Sequence, residues 1–151
     1  MGEASYELGM KIVKDRAKRL LGLSQKTYIK RMLEHYHMQD SKPIDTPIDK
    51  SLSLSRDIYP KTLKEKEKMS KVPYASVVGS LMYVMMCTCP DICYAVGLVS
   101  QYQSNSGQKH WMVVKRILRY LKRTSDYVTT QIRDVTGQKQ TYAYTSEALT
   151  Y

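Results

Sequence analysis

The sequence has no phenylalanine and no long hydrophobic run. Its longest uninterrupted apolar stretch covers residues 81–87, far short of the roughly 20 residues that a membrane-spanning helix needs. Residues 1–7 include acids where a secretory signal peptide has bases and then an apolar stretch. We therefore expect an intracellular protein with no membrane partner.

Cysteine is scarce, and its three copies are clustered. Cys87, Cys89 and Cys93 lie within seven residues. An odd, clustered set does not form the framework of a disulfide-rich domain. A structural zinc site uses four ligands, and no histidine stands at a spacing that would complete one. We expect free thiols in a reducing compartment, with no metal and no cofactor.

Charge is almost absent from residues 74–105, where Asp91 is the only charged residue. Residues 106–124 then contain six bases and no acid, so much of the net charge of +10 is concentrated there. Such a stretch faces a polyanion, a membrane surface or solvent. The candidate nucleic-acid-binding residues of this stretch are Lys115, Arg116, Arg119, Lys122 and Arg123. Lys115 and Arg119 are the strongest candidates, because they lie one helical turn apart.

The order of apolar patterns predicts an α+β fold. An N-terminal β-hairpin within residues 6–23 is followed by a helix with Ser24 as its N-cap, and these form a unit of residues 1–40. Residues 41–72, rich in Pro, Ser and charge, predict a mobile connector with a solvated run at residues 61–71. Residues 73–125 predict a unit of three helices, with Trp111 in the apolar face of the last. Residues 126–151 predict a C-terminal strand pair.

Several sequence blocks, in this order, resemble copia-type retrotransposon reverse transcriptases. They are Leu8-Gly9-Met10-Lys11-Ile12, residues 23–29, residues 74–83, Cys87-Thr88-Cys89-Pro90-Asp91-Ile92, Tyr94-Ala95-Val96, His110-Trp111 and residues 117–122. Each block alone is a weak match, whereas the ordered series covers residues 2–126.

The resemblance implies a role for each part. Residues 6–23 would form the primer-grip hairpin at the end of the palm, in which Leu8, Gly9 and Gly22 would let the backbone approach the primer. Glycine in a strand can equally mark a bulge or a tight sheet contact. Residues 73–125 would be thumb and connection, and residues 126–151 the truncated start of RNase H. The implied partners are an RNA–DNA hybrid or duplex and the missing parts of the parent polyprotein.

Both active sites of the resembled family lack their carboxylates in this sequence. The polymerase motif Tyr-x-Asp-Asp would precede Met1, and no Asp-Asp pair occurs anywhere in the chain. Ser146 stands where the resemblance implies the first RNase H aspartate, and a hydroxyl does not supply the anionic oxygen that magnesium prefers. The neighbouring Glu147 would point to the other face of a strand. We therefore expect no catalytic residue and no enzyme activity.

Other interpretations remain open beside residual duplex binding. The bases of residues 106–124 can be a solvated helix face, and the thirteen tyrosines favour packing over base stacking. The chain can also be one segment of a complete RNA-directed DNA polymerase. A third alternative is a protein-interaction module that uses the apolar helix 74–86, and a fourth is a non-functional relic.

Overall fold

The computed structural model describes residues 4–7, 10–17, 20–51, 54, 58–87, 90–125, 127–133 and 139–145. The strands are β1 (Ala4–Glu7), β2 (Met10–Asp15), β3 (Leu20–Ser24), β4 (Tyr127–Arg133) and β5 (Lys139–Thr145). The helices are α1 (Lys26–His35), α2 (Leu63–Ser70), α3 (Tyr74–Cys87), α4 (Cys93–Ser100) and α5 (Gln108–Thr124), with a 3₁₀ turn at Pro90–Ile92 before α4. The α+β class predicted from the sequence is confirmed.

The strands from the two ends of the chain form one antiparallel sheet, in the order β1-β2-β3-β4-β5. The sequence predicted two separate strand pairs, but β3 pairs with β4, and Leu20 lies opposite Ile132. A two-stranded hairpin is only marginally stable in water. Because β4 covers the free edge of β3, each predicted pair supports the other.

Helix α1 begins one residue later than the sequence predicted. Its N-cap is Gln25, without a side-chain cap, and the prediction of Ser24 as N-cap is wrong. Ser24 is the last residue of β3 and pairs with Lys11, so the sheet holds its backbone. Its hydroxyl still accepts a hydrogen bond from the Lys26 amide at 3.4 Å.

The hydrophobic core lies between α1, α3, α4 and α5. Helix α3 is apolar nearly all round, and α5 presents one apolar stripe. The fully buried residues of α3 and α5 include Val77, Val78, Leu81, Val84, Val114, Ile117, Leu118 and Leu121. Burying each such side chain contributes about 1.5–3 kcal/mol. Trp111, predicted as core, is half-buried and packs at the edge of this cluster.

The connector contains a helix that the sequence analysis did not predict. Helix α2 lies in the run predicted to be solvated, and its residues are exposed apart from the half-buried Met69. Thr62 and Glu65 form a capping box: the Thr62 hydroxyl accepts from the Glu65 amide, and the Glu65 carboxylate accepts from the Thr62 amide. This reciprocal pair satisfies backbone donors that the first helical turn leaves without partners.

Among the described residues, no helix is long and apolar enough to cross a membrane.

Candidate nucleic-acid interface

Helix α5 places the five predicted basic residues along its solvent-facing side, because its apolar residues recur at helical spacing and face the core. Lys115 is exposed, and its Nζ lies 5.8 Å from the centroid of the Trp111 ring. Arg116 donates to Thr46 twice, from Nε to the carbonyl oxygen at 3.2 Å and from Nη2 to Oγ1 at 2.8 Å. The helix therefore brings the predicted residues together, but they have different neighbours.

The last turns of α5 hold the beginning of the connector. Arg119 Nε donates to the carbonyl oxygen of Lys42 at 2.6 Å. Lys122 Nζ donates to the carbonyl oxygens of Gln39 and Ser41, the latter at 2.8 Å. Arg123 Nε lies 2.6 Å from Asp45 Oδ1 in an ion pair whose side chains are 59% and 77% exposed. Residues 39–46, which we call the strap, thus follow the basic side of α5.

Most of the positive charge survives these contacts. Carbonyl oxygens are neutral, so Arg116, Arg119 and Lys122 are oriented by the strap without losing their charge. Asp45 offsets the charge of Arg123 only partly, because both partners are exposed to solvent. Lys115 has no hydrogen bond to any described part of the strap. The five bases of this face outnumber the two acids of the strap, Asp40 and Asp45, so the net charge here is positive.

Another acid, Asp49, follows the strap in the sequence. Asp49 Oδ1 accepts hydrogen bonds from the Ser51 hydroxyl at 2.7 Å and from the Ser51 amide at 3.0 Å. These two bonds hold the pKa of the Asp49 carboxyl below its ordinary value, and the nearby charge of Arg116 adds a smaller effect in the same direction. Asp49 is therefore ionised at neutral pH and weakens the field around Arg116.

The other predicted site residues are placed only in part. Leu8 and Gly9 lie outside the described residues. Gly22 is buried in β3, opposite Val13 on one side and Thr130 on the other. Its backbone therefore lies inside the sheet between two strands, and its assignment to a primer grip stays a prediction. Ser146 and Glu147 also lie outside the described residues, and no group of three metal-ligating side chains occurs among the described ones.

A second group of basic residues was missed by the sequence analysis. Lys61, Lys64, Lys68 and Lys109 line a cleft between α2 and the start of α5. The signal for α2 was present as Thr62-x-x-Glu65, a capping-box pattern at the start of a helix. Without that helix, the lysines of residues 61–71 had no defined direction.

Gly107 brings the end of the connector against the start of α5. A Cβ atom on Gly107 would lie 2.2 Å from the Ile58 carbonyl oxygen, so no larger residue fits there without a shift of the backbone. The Gly107 amide donates to Nδ1 of the buried His110 at 2.8 Å. The His110 ring stacks on Tyr102 with 4.0 Å between the ring centroids. The contacts of Gly107 thus set one wall of the cleft.

Comparison with known proteins finds relatives among transposon polyproteins. The chain is 53% identical over 125 residues to the retrovirus-related Pol polyprotein from transposon TNT 1-94 of Nicotiana tabacum, a match that covers 83% of this chain and 9% of the relative. It is 38% identical over 128 residues to the corresponding polyprotein from transposon RE1 of Arabidopsis thaliana, covering 83% of this chain and 8% of the relative.

A shorter relative matches nearly the same share of the chain. The uncharacterized mitochondrial protein AtMg00810 of Arabidopsis thaliana is 35% identical over 126 residues, covering 82% of this chain and 48% of the relative. No protein-family model and no solved structure matches the chain. Over four fifths of its length, the chain is homologous to a segment of the retrovirus-related Pol polyproteins of plant transposons.

Proposed function

We propose that the chain is the part of a copia-type reverse transcriptase that follows the polymerase carboxylates, and that it holds a nucleic-acid duplex without catalysing a reaction. Two-metal polymerase chemistry requires carboxylates on two magnesium ions, and the sequence contains no Asp-Asp pair. The relatives support a fragment of a Pol polyprotein, and the ordered family blocks support the choice of this segment within it.

The observation that carries duplex binding is the set of charged side chains along α5. Arg116, Arg119 and Lys122 are bonded to neutral carbonyl oxygens, which fix their directions and leave their charges intact. Cations held in one direction lose less side-chain entropy when they meet a phosphate. Each phosphate contact releases counterions, so affinity falls with salt, with a slope of about −0.9 per contact on a double-logarithmic plot.

The test is fluorescence anisotropy of a labelled RNA–DNA hybrid, titrated with the full chain at several salt concentrations. Lys115→Ala is the informative variant, because Lys115 is exposed and does not hold the strap, so we expect the fold to remain intact without it. We expect its salt slope to be shallower by about 0.9 than that of the unaltered chain. Arg119→Gln, which also releases the Lys42 carbonyl, should weaken hybrid binding more than Lys115→Ala does.

The matched control is Lys30→Ala, which removes the same charge from an exposed position on α1. Its salt slope should equal that of the unaltered chain. Absence of hybrid binding at low salt by a folded chain would contradict the proposal, and so would equal changes in slope for the Lys30 and Lys115 variants.

The alternative of a protein-docking helix at residues 74–86 has less support. Val77, Val78, Leu81 and Val84 of α3 are buried in the core of the chain itself. Met86 is 81% exposed and remains as an apolar contact point. If the chain is one segment of a complete polymerase polyprotein, the partners it needs are the other parts of that polyprotein. The chain spans less than a tenth of the transposon polyproteins it matches, which is consistent with its being one segment of a longer polyprotein.

A further inference from the structure

The cleft between α2 and the start of α5 has a volume of about 720 Å³, within the range of about 300–1,000 Å³ that is usual for small-ligand sites. Its polar rim carries four lysines, Lys61, Lys64, Lys68 and Lys109. Its apolar lining includes Tyr59 and Trp111. The cleft therefore combines cations with aromatic faces in one concave surface.

The cleft contains little negative charge to neutralise its lysines. Glu65 is the one acid among the lining residues. Its Oε2 accepts hydrogen bonds from the Lys61 amide at 2.9 Å and the Thr62 amide at 3.4 Å. These backbone bonds hold the pKa of Glu65 below its ordinary value, so the carboxylate is charged but committed to the cap of α2. None of the four lysines forms an ion pair with another described residue.

The aromatic side chains are placed where a ligand can reach them. Tyr59 is 43% exposed, with Lys61 Nζ 5.9 Å from its ring centroid. Trp111 is half-buried, and the buried Tyr74 ring lies behind it at 6.4 Å between centroids. The core therefore fixes Trp111 from one side, and the cleft leaves part of its surface open. Met69 and Val72 extend the apolar lining beside it.

We infer that this cleft binds single-stranded nucleic acid, with a base against Trp111, next to Tyr59, and the flanking phosphates at the lysines. Sites for single strands combine a basic groove with aromatic side chains on which bases stack. A duplex keeps its bases stacked inside the helix, so the aromatic faces select an unpaired strand. The inference rests on the proposed function for the class of ligand. It assigns an unpaired strand to an adjoining surface, which meets the basic side of α5 at Trp111, where Lys115 Nζ lies 5.8 Å from the ring centroid.

Trp111 gives the test a local signal, because it is the only tryptophan in the chain. The probe is a short oligothymidylate, titrated into the full chain while tryptophan fluorescence is recorded at several salt concentrations. We expect saturable quenching that weakens as salt rises. The double variant Lys64→Gln with Lys68→Gln should lower the affinity and make the salt slope shallower by about 1.4, from about 0.7 for each single-strand phosphate contact.

The matched control is Lys66→Gln with Lys71→Gln, which removes the same charge from exposed positions outside the cleft lining. Its quenching curve and salt slope should equal those of the unaltered chain. Equal changes in both double variants would overturn the inference, since the lysines would then act only through net charge. Anisotropy of the same oligonucleotide that shows binding without quenching would overturn it as well.

Two further arms separate this inference from the proposed function and from another ligand class. If the RNA–DNA hybrid binds through Lys115 while oligothymidylate does not bind, the cleft assignment fails and the proposed function stands. If neither nucleic acid binds to the folded chain, both fail. An oligoglutamate of equal charge should quench Trp111 weakly, and quenching as strong as that by oligothymidylate would assign the cleft to acidic peptides instead.

Discussion

The two basic regions of this chain differ in what their side chains contact. On α5, Arg116, Arg119 and Lys122 donate hydrogen bonds to the strap. In the cleft, Lys64 and Lys68 make no polar contact with any described residue. Both regions are rich in lysine or arginine, yet one holds the connector in place and the other faces an open cleft.

The difference shows that charge density alone does not identify a binding surface. The bases of α5 stand out in the sequence because an uncharged stretch precedes them, and the lysines of α2 are interspersed with acids. In the structure, the acid of the cleft is turned to the backbone, whereas Asp45 of the strap reaches Arg123. Whether a basic residue is held by the chain itself therefore depends on which backbone carbonyls and carboxylates lie within its reach.

The largest expected effect comes from Gly107→Ala, which would deform the cleft and leave the strap contacts in place. The new methyl group would lie 2.2 Å from the Ile58 carbonyl oxygen, a backbone atom that cannot rotate away. Overpacking of this kind costs about 1–3 kcal/mol, so the free energy of unfolding in urea should fall by about that amount. Quenching of Trp111 by oligothymidylate should weaken in the same variant.

Gly97→Ala is the matched control, because a Cβ atom at Gly97 meets nothing within 4 Å. Gly97 lies inside α4, where alanine is favoured over glycine by about 0.5–1 kcal/mol, so this variant should be slightly more stable. A Gly107→Ala chain as stable as the unaltered one would mean that Ile58 does not lie over the start of α5.

A smaller loss is expected from Lys122→Met, which keeps the aliphatic chain and removes the ammonium group that holds the strap. The carbonyl oxygens of Gln39 and Ser41 lose a charged donor, and hydrogen bonds to charged groups contribute about 1.5–3 kcal/mol. Since Lys122 is only half-buried, we expect a decrease of about 1–2 kcal/mol in the free energy of unfolding.

The comparison variant is Lys68→Met, which removes an equal charge from the cleft. Lys68 forms no hydrogen bond or ion pair with any described residue, so its loss should change the free energy of unfolding by less than about 0.5 kcal/mol. Equal destabilisation by the two substitutions, measured by urea unfolding, would remove the distinction between a structural and an open basic region.

The sequence was sufficient for the parts of the fold that depend on local pattern. The apolar stripe of α5 and the apolar run of α3 predicted two core helices, because the residues on the buried face of a helix are apolar and recur at helical spacing in the sequence. The pairing of β3 with β4 was not predictable in this way, since more than a hundred residues separate Gly22 from Thr130. Local patterns carry no information about which distant strand covers an edge.

The same limit applies to the two basic regions. The sequence predicted the basic side of α5 from Lys115, Arg116, Arg119, Lys122 and Arg123, and their role in nucleic-acid binding stays a prediction. It did not predict the strap, because hydrogen bonds to the backbone carbonyls of residues 39–46 do not depend on residue type. Of the two strap side chains that contact α5, Asp45 and Thr46, only Asp45 is charged. Asp40 and Asp49 are nearby in the sequence, and exposed acids of this kind have many equivalent partners.

The smallest expected effect concerns the cap that separates Glu65 from the lysines of the cleft. Backbone hydrogen bonds from Lys61 and Thr62 lower the pKa of Glu65 from its ordinary value of 4.5. A lowered pKa in the folded state means that the cap stabilises α2 above pH 4.5 and that this stabilisation is lost as the pH falls through the lower, folded value. The amide proton shifts of Lys61 and Thr62, followed by NMR, should titrate together with a midpoint below 4.5.

In Glu65→Gln the titration should vanish while the neutral side chain still caps the helix. A midpoint at or above 4.5 would mean that the carboxylate is not held by the backbone and remains available to the lysines, and the charge contrast between the cleft and the strap would then disappear.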